Sequence, residues 1–305
     1  MQAILEQIWR ESLPAAAAGK LASYIPALTQ ADPASLGLAI TTRDGQSFTA
    51  GAAERKFTVQ SISKVLALAY VIAERGTATV FSRVGKEPTG DPFNSIIRLE
   101  TSARRKPFNP FINAGAIVVS GLMPGASTGQ RIEGFCDFVA ALVGAQAVVL
   151  DAAVYQSEKT TAARNRAIAW FLKELSLIEG DVEETLDVYF RQCAVLLDAV
   201  QLSRIGAILA LDGFDPVLQR QMLATGQARL IKSLMITCGL YDGSGEFAFD
   251  VGIPAKSGVG GGILATVRDR LGIGVYGPAL EERGNSCAGL EALRRLSDRL
   301  DLRVL

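Results

Sequence analysis

Ser61 and Lys64 form the one Ser-x-x-Lys spacing in the chain, and on a helix a separation of three puts both side chains on one face. A hydroxyl and an amine so placed can act as nucleophile and base for acyl transfer. The amine can take a proton near neutral pH only if burial, or a second cation such as Lys256, disfavours its ammonium form. Ordinary Ser and Lys usage yields roughly one such spacing by chance in a chain this long, so the surrounding sequence has to decide.

The chain has 305 residues and no histidine. That excludes Ser-His-Asp and Cys-His machinery, His-ligated zinc and a haem held by a proximal His. Acid–base work falls to Lys, Tyr, Asp, Glu or a terminus. Lys+Arg and Asp+Glu number 31 each, and the basic residues are scattered, so no footprint for nucleic acid stands out. Cys136, Cys193, Cys238 and Cys287 lie far apart without metal-like spacing and read as buried free thiols. We expect no metal and no cofactor.

The elements that must position Ser61 and Lys64 are readable in outline. Residues 36–43, an Asp-Gly turn at 44–45 and residues 46–51 read as a β-hairpin. Residues 57–76 follow as a largely apolar helix that stops at Gly76. From 76 to 230 the pattern is mostly helical, at 131–143, 160–177, 182–211 and from 216 onward, interrupted by the loop 105–116. Residues 247–277 read as short antiparallel strands, at 247–252, 253–258, 262–267 and 271–277, and 286–300 as a closing amphipathic helix. Strands at both ends imply one sheet built by the terminal segments, with the helical block inserted as a second lobe: 1–75 plus 230–305 against 76–229, in a single domain. The N-terminal amphipathic helix carries Glu6, Arg10 and Glu11 and so lacks a signal-peptide core. Apolar runs such as 65–73 fall short of a membrane span. A cytoplasmic protein with no membrane partner is expected.

Lys256-Ser257-Gly258 sits on one of those C-terminal strands, followed by Val259 and three glycines. Read alone, Lys256 could be a solvated strand-start lysine, and the glycines a flexible turn or a phosphate cradle. The Gly-Lys-Ser/Thr of a P-loop is missing, so close backbone approach to a substrate explains the glycines better. A Ser-x-x-Lys helix followed by a Lys-Ser-Gly strand resembles the penicillin-recognising serine enzymes.

The resemblance narrows further. Tyr-Ile-Pro at 24–26, Gln-Ser-Ile-Ser-Lys at 60–64, Gly-Lys-Glu-Pro-Thr-Gly-Asp-Pro-Phe-Asn-Ser at 85–95, Asn-Pro-Phe-Ile-Asn-Ala-Gly-Ala at 109–116, Ser-Glu at 157–158, Arg-Asn at 164–165, Tyr-Phe at 189–190 and Lys-Ser-Gly-Val-Gly-Gly-Gly at 256–262 resemble, in order, the serine-dependent glutaminase family. The fold it implies is α/β (α+β), serine β-lactamase-like: an antiparallel sheet flanked by helices, with an inserted all-helical lobe. It implies hydrolysis of the side-chain amide of L-glutamine, Ser61 as nucleophile, Lys64 as base, Tyr241 and Tyr24 as phenols near the reacting amide, and backbone N–H groups of Ser61 and Val259 for the oxyanion. It further implies substrate contacts at Gln60, Asn113, Glu158, Asn165, Tyr189, Tyr241 and Val259, support from Lys256, Ser257 and Gly258, and a homodimer or homotetramer. Taken singly, Asn113 could merely shape a loop, Glu158 be a first-turn acid and Tyr189 a core residue. The Ser-Asp-Asn motif of β-lactamases has no clear counterpart. Another Ser-x-x-Lys acyl-transfer hydrolase, or a non-catalytic amino-acid-binding protein, would use the same residues.

Overall fold

The computed structural model describes residues 1–103 and 105–304. The chain's two ends do build one sheet. Its strands are β1 (Gly37–Thr42), β2 (Ser47–Gly51), β3 (Ala255–Ser257), β4 (Gly262–Val267) and β5 (Leu271–Tyr276), ordered β2-β1-β5-β4-β3 and antiparallel throughout. The expected hairpin is β1–β2, turned at Gly45 with a φ of +80°. β1 pairs with β5 from Gly37 opposite Tyr276 to Thr42 opposite Leu271, which joins residues more than 200 positions apart.

Side-chain alternation assigns the two faces. Leu38, Ile40, Ile273 and Val275 pack with Leu5 and Ile8 of the helix Gln2–Ser12 and with Leu293 and Leu296 of the helix Cys287–Leu300. Ser286 caps the latter, its Oγ accepting from Gly289 N at 3.0 Å. Ala39 and Thr41 point the other way, Ala39 onto Ala199 and Thr41 to a 2.8 Å hydrogen bond with Ser203. The helix Ala199–Ala210 therefore lies on that face. It lies so close that a Cβ at Gly272 would sit 2.0 Å from Ala207 N.

The other helices surround a larger apolar cluster centred on the first half of the helix Ser63–Arg83. By length and composition the segment Gln60–Arg83 could cross a membrane. Here its apolar half, Val65 to Ile72, is buried against neighbouring helices. At Gly76 (φ +79°) the helix breaks as expected, and a second helical stretch then runs on to Arg83.

Three readings need correction. The expected helix 182–211 is two helices, Val182–Cys193 and Ala199–Ala210, because Asp198 closes a capping box with Gln201 and starts the chain afresh. The intervening Val195–Leu197 pairs with Phe57–Thr58 and Val149–Leu150. Residues 216–223 form no helix: Asp215 Oδ1 accepts from Val217 N and Leu218 N, turning a small hairpin, and the helix begins at Thr225. Residues 247–252 form no strand; they lie in and after the helix Ser244–Asp250, with Phe247 buried and Phe249 exposed. The sheet, its helical covering and the inserted helices have the serine β-lactamase-like arrangement.

Candidate active site

Ser61 sits in the 3₁₀ turn Gln60–Ile62 that leads into the helix Ser63–Arg83. Gln60 takes up a φ of +47°, a conformation L-residues seldom adopt, and the turn is packed under the Lys-Ser-Gly strand. A Cβ on Gly258 would lie 2.5 Å from Val59 O, and one on Gly260 2.2 Å from Thr58 O. Only glycine lets that backbone pass so near the backbone leading to Ser61, which brings the peptide groups around Val259 alongside it.

Gln60, Ser61, Asn113, Glu158, Asn165, Tyr189, Val259 and Tyr24 line one cavity of about 100 Å³. Seven separate segments supply them, five helical and two loops, which is why no local pattern groups them. Glu158 ends the helix Ala152–Thr161 and Asn165 opens the helix Ala163–Glu174. The chain bends between them, so the two side chains come from separate helices. Tyr24 also lines a wider cavity of about 530 Å³ toward solvent, with Phe93, Val259, Lys20 and Arg283.

Lys64 lies beneath this cavity, 1% exposed. Its Nζ donates to Asn113 Oδ1 at 2.6 Å and to Phe111 O at 3.2 Å, and Asn113 Nδ2 donates to Asn165 Oδ1 at 2.9 Å. Burial pushes the Lys64 amine down to about 8, opposed by the nearby Cys193 and Glu158. Lys256 is wholly buried too, so it is no solvated strand-start lysine. Its Nζ donates to Gly239 O at 2.9 Å and Ser257 O at 2.6 Å, 4.3 Å from the Tyr241 ring centre. Burial, then the charge of Lys64, hold Lys256 well below the ordinary lysine range. The expected influence of one lysine on the other thus falls on Lys256, while Lys64 responds to burial.

Tyr241 OH donates to Ser257 O at 3.3 Å. Burial raises the phenol to about 12, against the lowering influence of the nearby Ser61 and Ser257. Among the described residues no hydrogen bond joins Lys64 Nζ to Ser61 Oγ. Ser257 Oγ donates to Asn285 Oδ1 at 2.6 Å, anchoring the strand from behind.

Glu158 is the least satisfied group in the cavity. It is buried, its Oε2 has no partner, and burial raises its carboxyl to about 8 against the charge of Lys64 and a hydrogen bond with Gln60. A buried carboxylate without a cation is costly. Such a group is set to receive an ammonium. Tyr189 is fully enclosed beside it, its phenol raised by burial and by Cys193 and Glu158.

Sequence reasoning missed Phe93, which lines the cavity and lies 4.8 Å from the Tyr241 ring, and Cys193, whose Sγ faces Ser63 Oγ at 3.8 Å. Phe93 lies inside the stretch 85–95 that carried the resemblance, so a signal was present; Cys193 read only as a core thiol. Asn113, read from the sequence as a substrate contact, also accepts from the Ser-x-x-Lys amine.

A family model described as Glutaminase matches residues 19–305. A glutaminase of Shouchella clausii (strain KSM-K16) is 47% identical over 298 residues, 98% of this chain and 96% of its own. Glutaminase 2 of Clostridium perfringens (strain 13 / Type A) is 49% identical over 286 residues, 94% of each chain. A crystal structure of the Bacillus subtilis glutaminase YbgJ, in covalent complex with 5-oxo-L-norleucine formed by reaction with 6-diazo-5-oxo-L-norleucine, superposes with a TM-score of 0.90 at 37% identity, covering 100% of this chain and 99% of that one. On these grounds the chain belongs to the glutaminase family.

Proposed function

We propose that this chain hydrolyses the side-chain amide of L-glutamine to L-glutamate and ammonia through an acyl-enzyme on Ser61. The observation that carries the reading is the small cavity that has Ser61 at one side and Glu158, its Oε2 without a partner, in its wall. A free amino acid fits that demand: its α-ammonium neutralises Glu158, and its α-carboxylate takes donors from Asn113, Asn165, Gln60 and Tyr189.

With the substrate so held, Ser61 Oγ attacks the carboxamide carbon and its proton passes to Lys64, neutral once the pH exceeds about 8. The carbonyl oxygen becomes an oxyanion held by the N–H groups of Ser61 and Val259. Tyr241, in contact with Ser61, relays a proton to the leaving nitrogen, and Tyr24 closes the site from the mouth. Carbon–nitrogen cleavage releases ammonia and leaves a γ-glutamyl ester, which water cleaves to glutamate. Lys256, Ser257 and Gly258 hold the strand that bears the oxyanion donor.

We further propose that the active site lies where the lobe 1–75 plus 230–305 meets the lobe 76–229, and that the protein works as a homodimer or homotetramer in the cytoplasm. Four cysteines free of disulfides suit a reducing compartment. The test is ammonia release from glutamine and asparagine by wild type and Ser61→Ala. Glutamine turnover should fall about four orders of magnitude or more in the variant. Undiminished turnover by Ser61→Ala would reject the acyl-enzyme route, and binding of glutamine without ammonia release by wild type would reject the enzyme reading.

A further inference from the structure

Both hydrogen bonds of Lys64 end on one turn of chain, at Phe111 O and Asn113 Oδ1. That turn is held by Asn109. Its Oδ1 accepts from Phe111 N at 2.9 Å and Ile112 N at 3.1 Å, while its Nδ2 donates to Glu87 O at 2.9 Å. Asn109 is buried and is not among the residues lining the substrate cavity. With its carboxamide bridging these backbone groups, the Phe111 carbonyl faces Lys64 and Asn113 begins its helix, Asn113–Gly121.

We infer that Asn109 and Asn113 are positioning residues for Lys64: together they present two carbonyl oxygens that fix two N–H directions of the amine and leave its third tetrahedral position to Ser61. The inference rests on the reading of Lys64 as the base. A neutral primary amine has two N–H bonds and one lone pair, so two acceptors satisfy it completely. An ammonium would carry a third N–H at the position left to Ser61, whose Oγ can accept it, so the two carbonyls orient the amine in either protonation state. The other ionisable groups around the amine are Glu158 and Cys193 from two helices and Lys256 from the strand; none is hydrogen-bonded to Nζ.

The experiment is an NMR titration of the Lys64 side chain, using ¹³C-labelled lysine, alongside pH profiles of kcat and KM for Asn113→Asp, Asn109→Ala and Asn165→Ala. Asn113→Asp places a carboxylate at the 2.6 Å contact, and the Lys64 titration should move up by about 1–3 pH units with the acid limb of kcat following it. Asn109→Ala should lower kcat about 10-fold or more, with KM changing less than about 3-fold, because the base is misaimed and the substrate contacts remain. Asn165→Ala, which meets only the substrate side of Asn113, should raise KM and leave the titration in place. An unmoved Lys64 titration in Asn113→Asp, with losses confined to KM, overturns the inference; if Asn109→Ala does not fold, that titration decides alone. The titration needs no turnover, so a failure of the glutaminase reading, seen as no ammonia from wild type, is a separate result.

Discussion

Two oppositely charged side chains brought by burial to the same titration range dominate the site. Lys64 falls to about 8 and Glu158 rises to about 8, so in the free protein both must lose a proton before base and ammonium receptor are ready. The acid limb of kcat/KM should accordingly have its midpoint near pH 8 and approach a slope of two. In Glu158→Gln the limb should flatten to a slope of one and its midpoint should move down, because the Glu158 charge that raises Lys64 is gone. KM should rise about 30-fold or more, since removing one partner of a buried charge contact costs about 2 kcal/mol or more. A pH profile of both proteins checks this, and an unchanged slope in the variant would remove Glu158 from the binding step. Ser61, Lys64 and Glu158 could be singled out as candidates because the motif residues keep their order along the chain. Their electrostatic state could not be read, because it depends on burial among helices distant in sequence.

Elements became readable where local chemistry agreed with tertiary placement. The hairpin had Asp44-Gly45, and the last helix had Ser286 as its cap. The helix 182–211 was misread because apolar periodicity continues through Val195–Leu197, while the break is set by Asp198 capping and by two strand partners more than 40 residues earlier in the chain. Phe247 and Phe249 imitate strand alternation although one is buried and the other bare. Glycines on paired surfaces are likewise invisible until the surfaces are seen. Gly272→Ala would press a methyl to within about 2 Å of Ala207 N and Ser203 O. Such overpacking costs about 1–3 kcal/mol and lowers Tm by about 2–4 °C per kcal/mol. Gly226→Ala, in the helix Thr225–Cys238 with nothing within 4 Å, should instead hold or raise Tm, and paired thermal melts compare them directly. Equal effects at the two positions would contradict the close packing of the helix Ala199–Ala210 on the sheet.

At the scale of the whole molecule, the fold carries its site at a cost in stability. Glu158 has its ordinary value of 4.5 when unfolded and about 8 when folded. Between those pH values the native state binds the extra proton, so its contribution falls as pH rises and the full cost is present above 8. Lys64 goes from 10.5 unfolded to about 8 folded. There the unfolded state binds the extra proton, so stability recovers as pH rises from 8 to 10.5. The Tm advantage of Glu158→Gln over wild type, without substrate, should therefore grow from pH 4.5 to 8, as differential scanning calorimetry can measure; an advantage that shrinks over that range would contradict the burial of an unpartnered carboxylate. Joining of the two chain ends in one sheet was readable from strands at both termini. The convergence of seven segments on one cavity was not, because it exists only once helices and strands distant in sequence are packed together.

The central claim, that Ser61 is the group that bonds to the substrate's side-chain carbon, is tested most directly by treating the protein with 6-diazo-5-oxo-L-norleucine and mapping the adduct by peptide mass spectrometry. We predict one equivalent of label on the peptide containing Ser61, protection by L-glutamine, and no label in Ser61→Ala. Label on a different residue, or labelling of Ser61→Ala at the wild-type rate, would contradict the account.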